Sequence, residues 1–310
     1  MKTYTKELRM FGVLVVLFGI TALLTPKTFL AAHNLTTDLR LISFMTLLSL
    51  GEAVVIIAGG IDLSIGSIVC FTAVTTAYLT AGHGMGIVPA VIIVLLLDVL
   101  IGLLQGLAIA RIGVQPFVIT LGGMLFVRGV ADMITRGQEI EFVSRFPGFR
   151  FLGEGDGLGL PMPFWFAVAG VAATVFLMHR TIVGRFFYAI GANAEAARLS
   201  GVPVPRVRVL TYVISAVLAG FTGLLYSGYL PAPSPTTATS WELDAIAAVV
   251  LGGCSLLGGR GSVIGVIPGA AVMVITLNGV NHVINPLWQN VARGTVILTA
   301  VIVDRLLEKK

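Results

Sequence analysis

The sequence predicts an all-α polytopic membrane protein with about ten transmembrane helices. Three observations carry this. Of 310 residues, 56% are hydrophobic and only 11% charged, with a mean hydropathy of +0.98, whereas roughly a quarter of an ordinary soluble domain is charged. The apolar residues gather into runs of about the 20 residues that a helix needs to cross a bilayer. Eighteen of the twenty basic residues lie between the runs or at their ends rather than inside them.

Taken in order, the expected spans lie near 10–26, 41–59, 64–81, 87–110, 113–135, 162–179, 209–230, 242–258, 262–281 and 288–304. Lys2, Lys6 and Arg9 precede the first run, and no small-residue cleavage site follows it before Thr25-Pro26-Lys27. A retained span is therefore expected rather than a signal peptide. The second and third spans meet at Gly59-Gly60-Ile61-Asp62-Leu63-Ser64-Ile65-Gly66, and the eighth and ninth around Leu256 to Ser262. Both junctions are short and glycine-interrupted, as in broken or re-entrant helices.

The chain reads as one membrane domain, 1–310, with an outer loop near 136–162 and a long inner loop near 180–208. Thirteen of the twenty basic residues fall on the side of the termini and five on the other. By the positive-inside rule both termini are expected in the cytoplasm. This placement at helix ends, not a basic patch, accounts for the net charge of +5, and no nucleic-acid partner is expected. Cys70 and Cys254 sit in apolar segments without metal-ligand spacing and read as packing residues. A faint internal echo relates Glu52-Ala53, Gly59-Gly60 and Gly66-Ser67 to Asp244-Ala245, Gly252-Gly253 and Gly261-Ser262. Such halves occur in transporters, although chance alone produces them in a Gly/Ala/Val-rich chain.

No G-x-x-x-x-G-K-[ST], H-E-x-x-H or G-x-S-x-G pattern occurs. The chain is thus expected to be no enzyme and to bind no cofactor or metal itself. The ionisable groups inside spans are Glu52, Asp98, Arg128, Asp132, Asp244 and Arg293; such groups are costly in lipid and mark function or packing. Arg128 and Asp132, four apart, are placed to pair along one helix face. Glu52 with Asp244 is the one combination that would make an ion relay. Asp62 and Ser64 are suited to cap the helix that follows Gly59 and Gly60, a local role compatible with gating the pathway or facing a partner. In the inner loop, Ala194 to Leu199 forms a short amphipathic helix ended by Gly201 and Pro203, either a lever or an ordinary interfacial helix.

At this point several segments converge. Gly59-Gly60-Ile61-Asp62-Leu63-Ser64-Ile65-Gly66-Ser67 resembles the G-G-x-D-L-S-x-G-S signature of ribose-type ATP-binding cassette permeases, the membrane subunits of monosaccharide importers. Tyr188 to Asn193, with Glu195-Ala196-Ala197-x-x-x-Gly201, is similar to that family's cytoplasmic coupling segment, although Ala192 stands where the family usually has Asn. Pro116 to Met124, Arg128-Gly129, Glu242 to Gly253 and Gly258 to Val263 extend the likeness over about residues 41–305.

The resemblance implies a permease of the bacterial inner membrane working by alternating access. It implies a second permease subunit, identical or paralogous, two cytoplasmic ATPases that bind ATP and Mg, and an extracytoplasmic sugar-binding protein. Gly191, Asn193, Glu195, Ala196, Ala197 and Gly201 would couple to the ATPase, and Gly59, Gly60, Asp62, Ser64 and Gly66 would gate the break. Permeases for other small solutes, such as branched-chain amino acids or autoinducer-type sugar derivatives, and an ion-coupled carrier remain alternatives.

Overall fold

The computed structural model describes residues 4–142 and 146–308, with side chains for 10–142 and 146–302. Lys2, Arg145, Lys309 and Lys310, which enter the charge count, lie outside the described residues. Fourteen α-helices are described: α1 Tyr4–Leu24, α2 Pro26–Phe29, α3 Ala32–Ile57, α4 Ile65–Ala77, α5 Ile87–Leu107, α6 Pro116–Thr135 and α7 Pro147–Glu154, then α8 Met162–Arg180, α9 Ile182–Ala192, α10 Ala194–Leu199, α11 Val204–Tyr229, α12 Trp241–Leu251, α13 Val266–Val283 and α14 Gln289–Glu308. The helices α4 and α5 run on into π-helical turns, Tyr78–Gly82 and Ala108–Ile112. A two-residue hairpin, Asp156–Gly157 with Leu160–Pro161, is the one β pairing among the described residues.

Each of the ten expected segments holds a helix, and seven of the described helices are long and apolar enough to cross a membrane. The eighth and ninth segments differ from expectation. Helix α12 stops at Leu251 instead of 258, and α13 begins at Val266 instead of 262. The reason is backbone chemistry that hydropathy does not register. Gly253 takes φ +91°, its N–H donates to the Val250 carbonyl, and the Cys254 N–H donates to that of Val249. This Schellman motif consumes the last free carbonyls of α12.

The same motif ends α3, with Gly59 at φ +81°, Gly59 N–H on Ile56 and Gly60 N–H on Val55. It also ends α10, with Gly201 at φ +85°, Gly201 N–H on Arg198 and Val202 N–H on Ala197. The turn at Gly59 thus recurs at Gly253, one residue out of the register of the echo, which set Gly59 against Gly252.

Helix α11 is the central post, packed on α3, α4, α5 and α7. Small residues let the backbones approach, as is usual between membrane helices. Gly102 and Gly106 of α5 lie on the α11 backbone at Tyr212–Val213 and Val209, and Gly51 of α3 lies on Ser215. Gly220 makes room for the Asp98 carboxylate, which accepts from Thr72 Oγ1 at 2.9 Å.

Candidate functional site

The break between α3 and α4 is a buried polar knot. After the Schellman turn the chain doubles back, so that Asp62 lies beside Ser215, near the middle of the 26-residue α11, with no exposed surface. Asp62 is thus deeper than the helix-end position expected for it. Its Oδ1 accepts from the Ser64 N–H (2.9 Å) and Ser64 Oγ (2.6 Å), and its Oδ2 accepts from Ser215 Oγ (2.9 Å). The Asp62 N–H donates to Glu52 Oε1 at 3.2 Å.

Asp62 therefore satisfies an N–H ahead of α4, as expected of a capping group. Ser64 does not cap with its side chain, because that hydroxyl is spent on Asp62. The Gln105 amide lies 3.1 Å from Ser64 Oγ. With the hydroxyl hydrogen committed to Asp62, the contact is satisfied when the amide NH2 faces the serine. Gly60 has no room for a Cβ because Tyr212 Oη and Val55 occupy it, and Gly66 has none because the Glu242 carboxylate does.

Below this knot three stretches of backbone touch. Gly191 at the end of α9 has the Ile57 carbonyl and the Gly259 N–H in the place of a side chain. Gly258, at φ +83°, lies on Gly59 and the Gly191 carbonyl. The Gly259 N–H donates to the Ile57 carbonyl at 2.8 Å, and Tyr188 Oη donates to the Gly261 carbonyl at 3.1 Å. The end of α3, the 252–265 loop and the end of α9 thus form one glycine junction.

The short helix α10 hangs directly from that junction. Asn193 caps it, its Oδ1 accepting from the Glu195 and Ala196 N–H groups at 3.0 and 2.9 Å. Ala197 is buried on α11's side of the apolar cluster, while Glu195, Ala196, Arg198 and Leu199 are exposed. Glu195 and Arg198 form an exposed ion pair (2.6 Å), and the Arg198 hydrogen bonds hold the Glu195 carboxyl below its usual range.

The remaining intramembrane groups pair differently from expectation. Arg128 does not pair with Asp132. Its Nη1 donates to the carbonyls of Pro235 (2.7 Å) and Thr237 (3.2 Å), across to the segment before α12, while Asp132 is exposed. Asp244 does not meet Glu52 either; it accepts from Arg293 Nε and Nη2, at 2.5 and 3.1 Å, which ties α12 to α14. Glu52 neighbours Asp62 instead, so the suggested Glu52–Asp244 relay has no geometric basis. Among the described residues no group of three His, Cys, Asp or Glu side chains could hold a metal ion.

Residues 34–301 match the family model described as the branched-chain amino acid transport system / permease component. The chain belongs to this permease family. The permease is 36% identical over 306 residues to the ribose import permease protein of Escherichia coli (strain K12), covering 98% of this chain and 95% of that one. It is 36% identical over 293 residues to the ribose import permease protein of Bacillus subtilis (strain 168), covering 94% and 90%. It is 35% identical over 321 residues to the galactose/methyl galactoside import permease protein of Escherichia coli (strain K12), covering 98% and 95%. No solved structure matches it.

In the permease, sequence reasoning found the break and the α10 segment but not that they touch. It missed Ser215, Tyr212 and Gln105, which complete the Asp62 knot from α11 and α5. These stand in apolar helices with no local signal except the neighbouring small residues. It named Glu242 only as part of a matching segment, with no role.

Proposed function

We propose that the permease is the transmembrane subunit of an ATP-binding cassette importer that carries a monosaccharide, a pentose or hexose, across a bacterial inner membrane. The single observation that carries the mechanism is the glycine junction. Helix α10, short and solvent-facing, is continuous through Gly191 with the broken ends at Gly59 and Gly258–Gly259. Movement of α10 by a partner would therefore shift the break on which Asp62 and α4 rest. In this reading the helices rock between two packings, open to opposite sides in turn.

The partners are two cytoplasmic ATPases that bind ATP and Mg, an extracytoplasmic sugar-binding protein and a second permease subunit. ATP hydrolysis takes place in the ATPases. Ten spans with both termini inside fit the basic-residue bias, and they put α10 on the cytoplasmic side with Glu195, Arg198 and Leu199 facing the ATPase. The sugar substrate is supported by the printed names of the relatives, which align along nearly the whole chain.

The test is a reconstituted complex of permease, ATPase and binding protein. Sugar-loaded binding protein should stimulate ATP hydrolysis, and paired replacement of Glu195 and Gly201 should abolish the stimulation. Stimulation unchanged in that variant would remove α10 from the mechanism. The family description favours a second reading, a branched-chain amino acid as solute. Uptake of leucine with no uptake of ribose or galactose would establish it in place of the first.

A further inference from the structure

Between α11 and α12 the chain from Ser234 to Ser240 is non-helical, yet its neighbours place it at membrane depth. Cys70, on the second turn of α4, lies against the carbonyls of Ser234 and Pro235. Arg128, beyond the middle of α6, holds the carbonyls of Pro235 and Thr237. The Ala238 carbonyl borders Gly66 in the first turn of α4. Irregular backbone at such depth is tolerated only where it is buried in protein or lines a water-filled cavity. Pro233, Pro235, Thr237 and Ala238 are buried, but Thr236 and Thr239 are exposed. That hydroxyl-bearing edge therefore faces an aqueous path rather than lipid.

The turn is held in a form that a free chain would avoid. Ala238 at φ +55° and Ser240 at φ +67° occupy the left-handed region, which non-glycine residues seldom adopt and which gathers at functional sites. Arg128 clamps it on one side and Arg293, through Asp244, on the other. Glu242 follows, 8% exposed, and its Oε2 has no hydrogen-bond partner in the protein. That oxygen occupies the space beside Gly66 where the N-termini of α4 and α12 converge. Half-helix N-termini meeting at mid-membrane are where transporters build solute sites. Arg293 is taken up by Asp244 and Asn290, and Arg128 is tied through Nη1 to the turn itself. In this packing Glu242 Oε2 is buried against Gly66 and Thr239 Oγ1 donates to the Thr236 carbonyl at 2.7 Å, so a solute meets the carboxylate only when α4 and α12 part in the alternating-access cycle. It then finds a carboxylate acceptor, the Thr239 oxygen as a second acceptor and the partly exposed Trp241 ring, a set suited to the hydroxyls of a neutral polyhydroxylated molecule.

We propose that Thr239, Trp241 and Glu242 form the contact through which the permease holds a monosaccharide in transit, with Glu242 Oε2 accepting from sugar hydroxyls. This rests on the monosaccharide reading above. The test uses the full complex in proteoliposomes, with radiolabelled ribose and galactose as probes, and measures sugar moved per ATP hydrolysed. Glu242→Gln is expected to lower that ratio about tenfold, as for loss of one charge-assisted hydrogen bond, while loaded binding protein still stimulates the ATPase. Thr239→Val, at an exposed position of unchanged shape, should lower it in the same direction. It decides the matter if Glu242→Gln fails to assemble. Wild-type ratios in the variants that assemble would overturn the site while leaving the sugar reading intact. A wild-type complex that moves neither probe would overturn both.

Discussion

A single carbon atom distinguishes the glycines that matter here from those that do not. At Gly191 a Cβ would meet the backbone of Ile57 and Gly259, which no rotamer change can move aside. At Gly122, on the outside of α6, a Cβ meets nothing. Gly191→Ala should therefore destabilise by about 1–3 kcal/mol, the usual cost of overpacking, whereas Gly122→Ala should be neutral or stabilising by up to about 1 kcal/mol through helix propensity. Thermal unfolding in detergent, followed by tryptophan fluorescence, compares the two. Equal midpoints would mean that the junction has room the geometry denies it. The sequence made the residue types legible but not their partners. Asp62 reads as a cap for the helix that follows it, yet one of its donors, Ser215, lies 153 residues away, and nothing in an apolar helix announces a serine as belonging to a distant loop. Arg128 misled for the opposite reason. Its neighbour Asp132 was close in sequence, but the Pro235 and Thr237 carbonyls before α12, more than a hundred residues on, are acceptors that a local rule does not count.

At the scale of elements, α10 was read with its true bounds because every determinant is local: the Asn193 cap, the Gly201 terminator and the i, i+3 pair of Glu195 and Arg198. Six residues cannot sustain a helix alone, since nucleation is unfavourable in so short a segment, so α10 depends on those caps and on Ala197. Its ion pair is also titratable. Hydrogen bonding to Arg198 lowers the Glu195 carboxyl in the folded protein, so the support it lends is present above the unfolded value of about 4.3 and fades as pH falls through the lower folded value. Carboxyl-labelled Glu195 followed by NMR should titrate below the ordinary midpoint and return to it in Arg198→Ala. A midpoint unaffected by that substitution would mean the pair does not form in solution. Helix α12, by contrast, was drawn seven residues too long. The apolar run continues past Leu251, and only the positive φ of Gly253 and the donors beside it end the helix.

At the scale of the whole molecule, hydropathy and spacing located a helix in every expected segment, because a bilayer dictates both length and composition. What they left out is which helix is the post, since α11 is distinguished only by the small residues facing it. The orientation proposed above has a direct check. Leu158, in the hairpin of the outer loop, and Leu199, on α10, are both strongly exposed, whereas the native Cys70 and Cys254 are buried. In intact spheroplasts a membrane-impermeant maleimide should label Leu158→Cys but not Leu199→Cys, and permeabilisation should expose the second. The reverse pattern would turn the permease over. The glycine junction has a consequence beyond its lack of space. Side chains hop between rotamers, so contacts built from them absorb small displacements as play. At Gly59, Gly191, Gly258 and Gly259, where α3, α9 and the 252–265 loop meet, there are no rotamers to hop. In the coupling proposed above, a push on α10 would reach the broken helix with the stiffness of peptide planes in contact, as in a gear train cut without backlash.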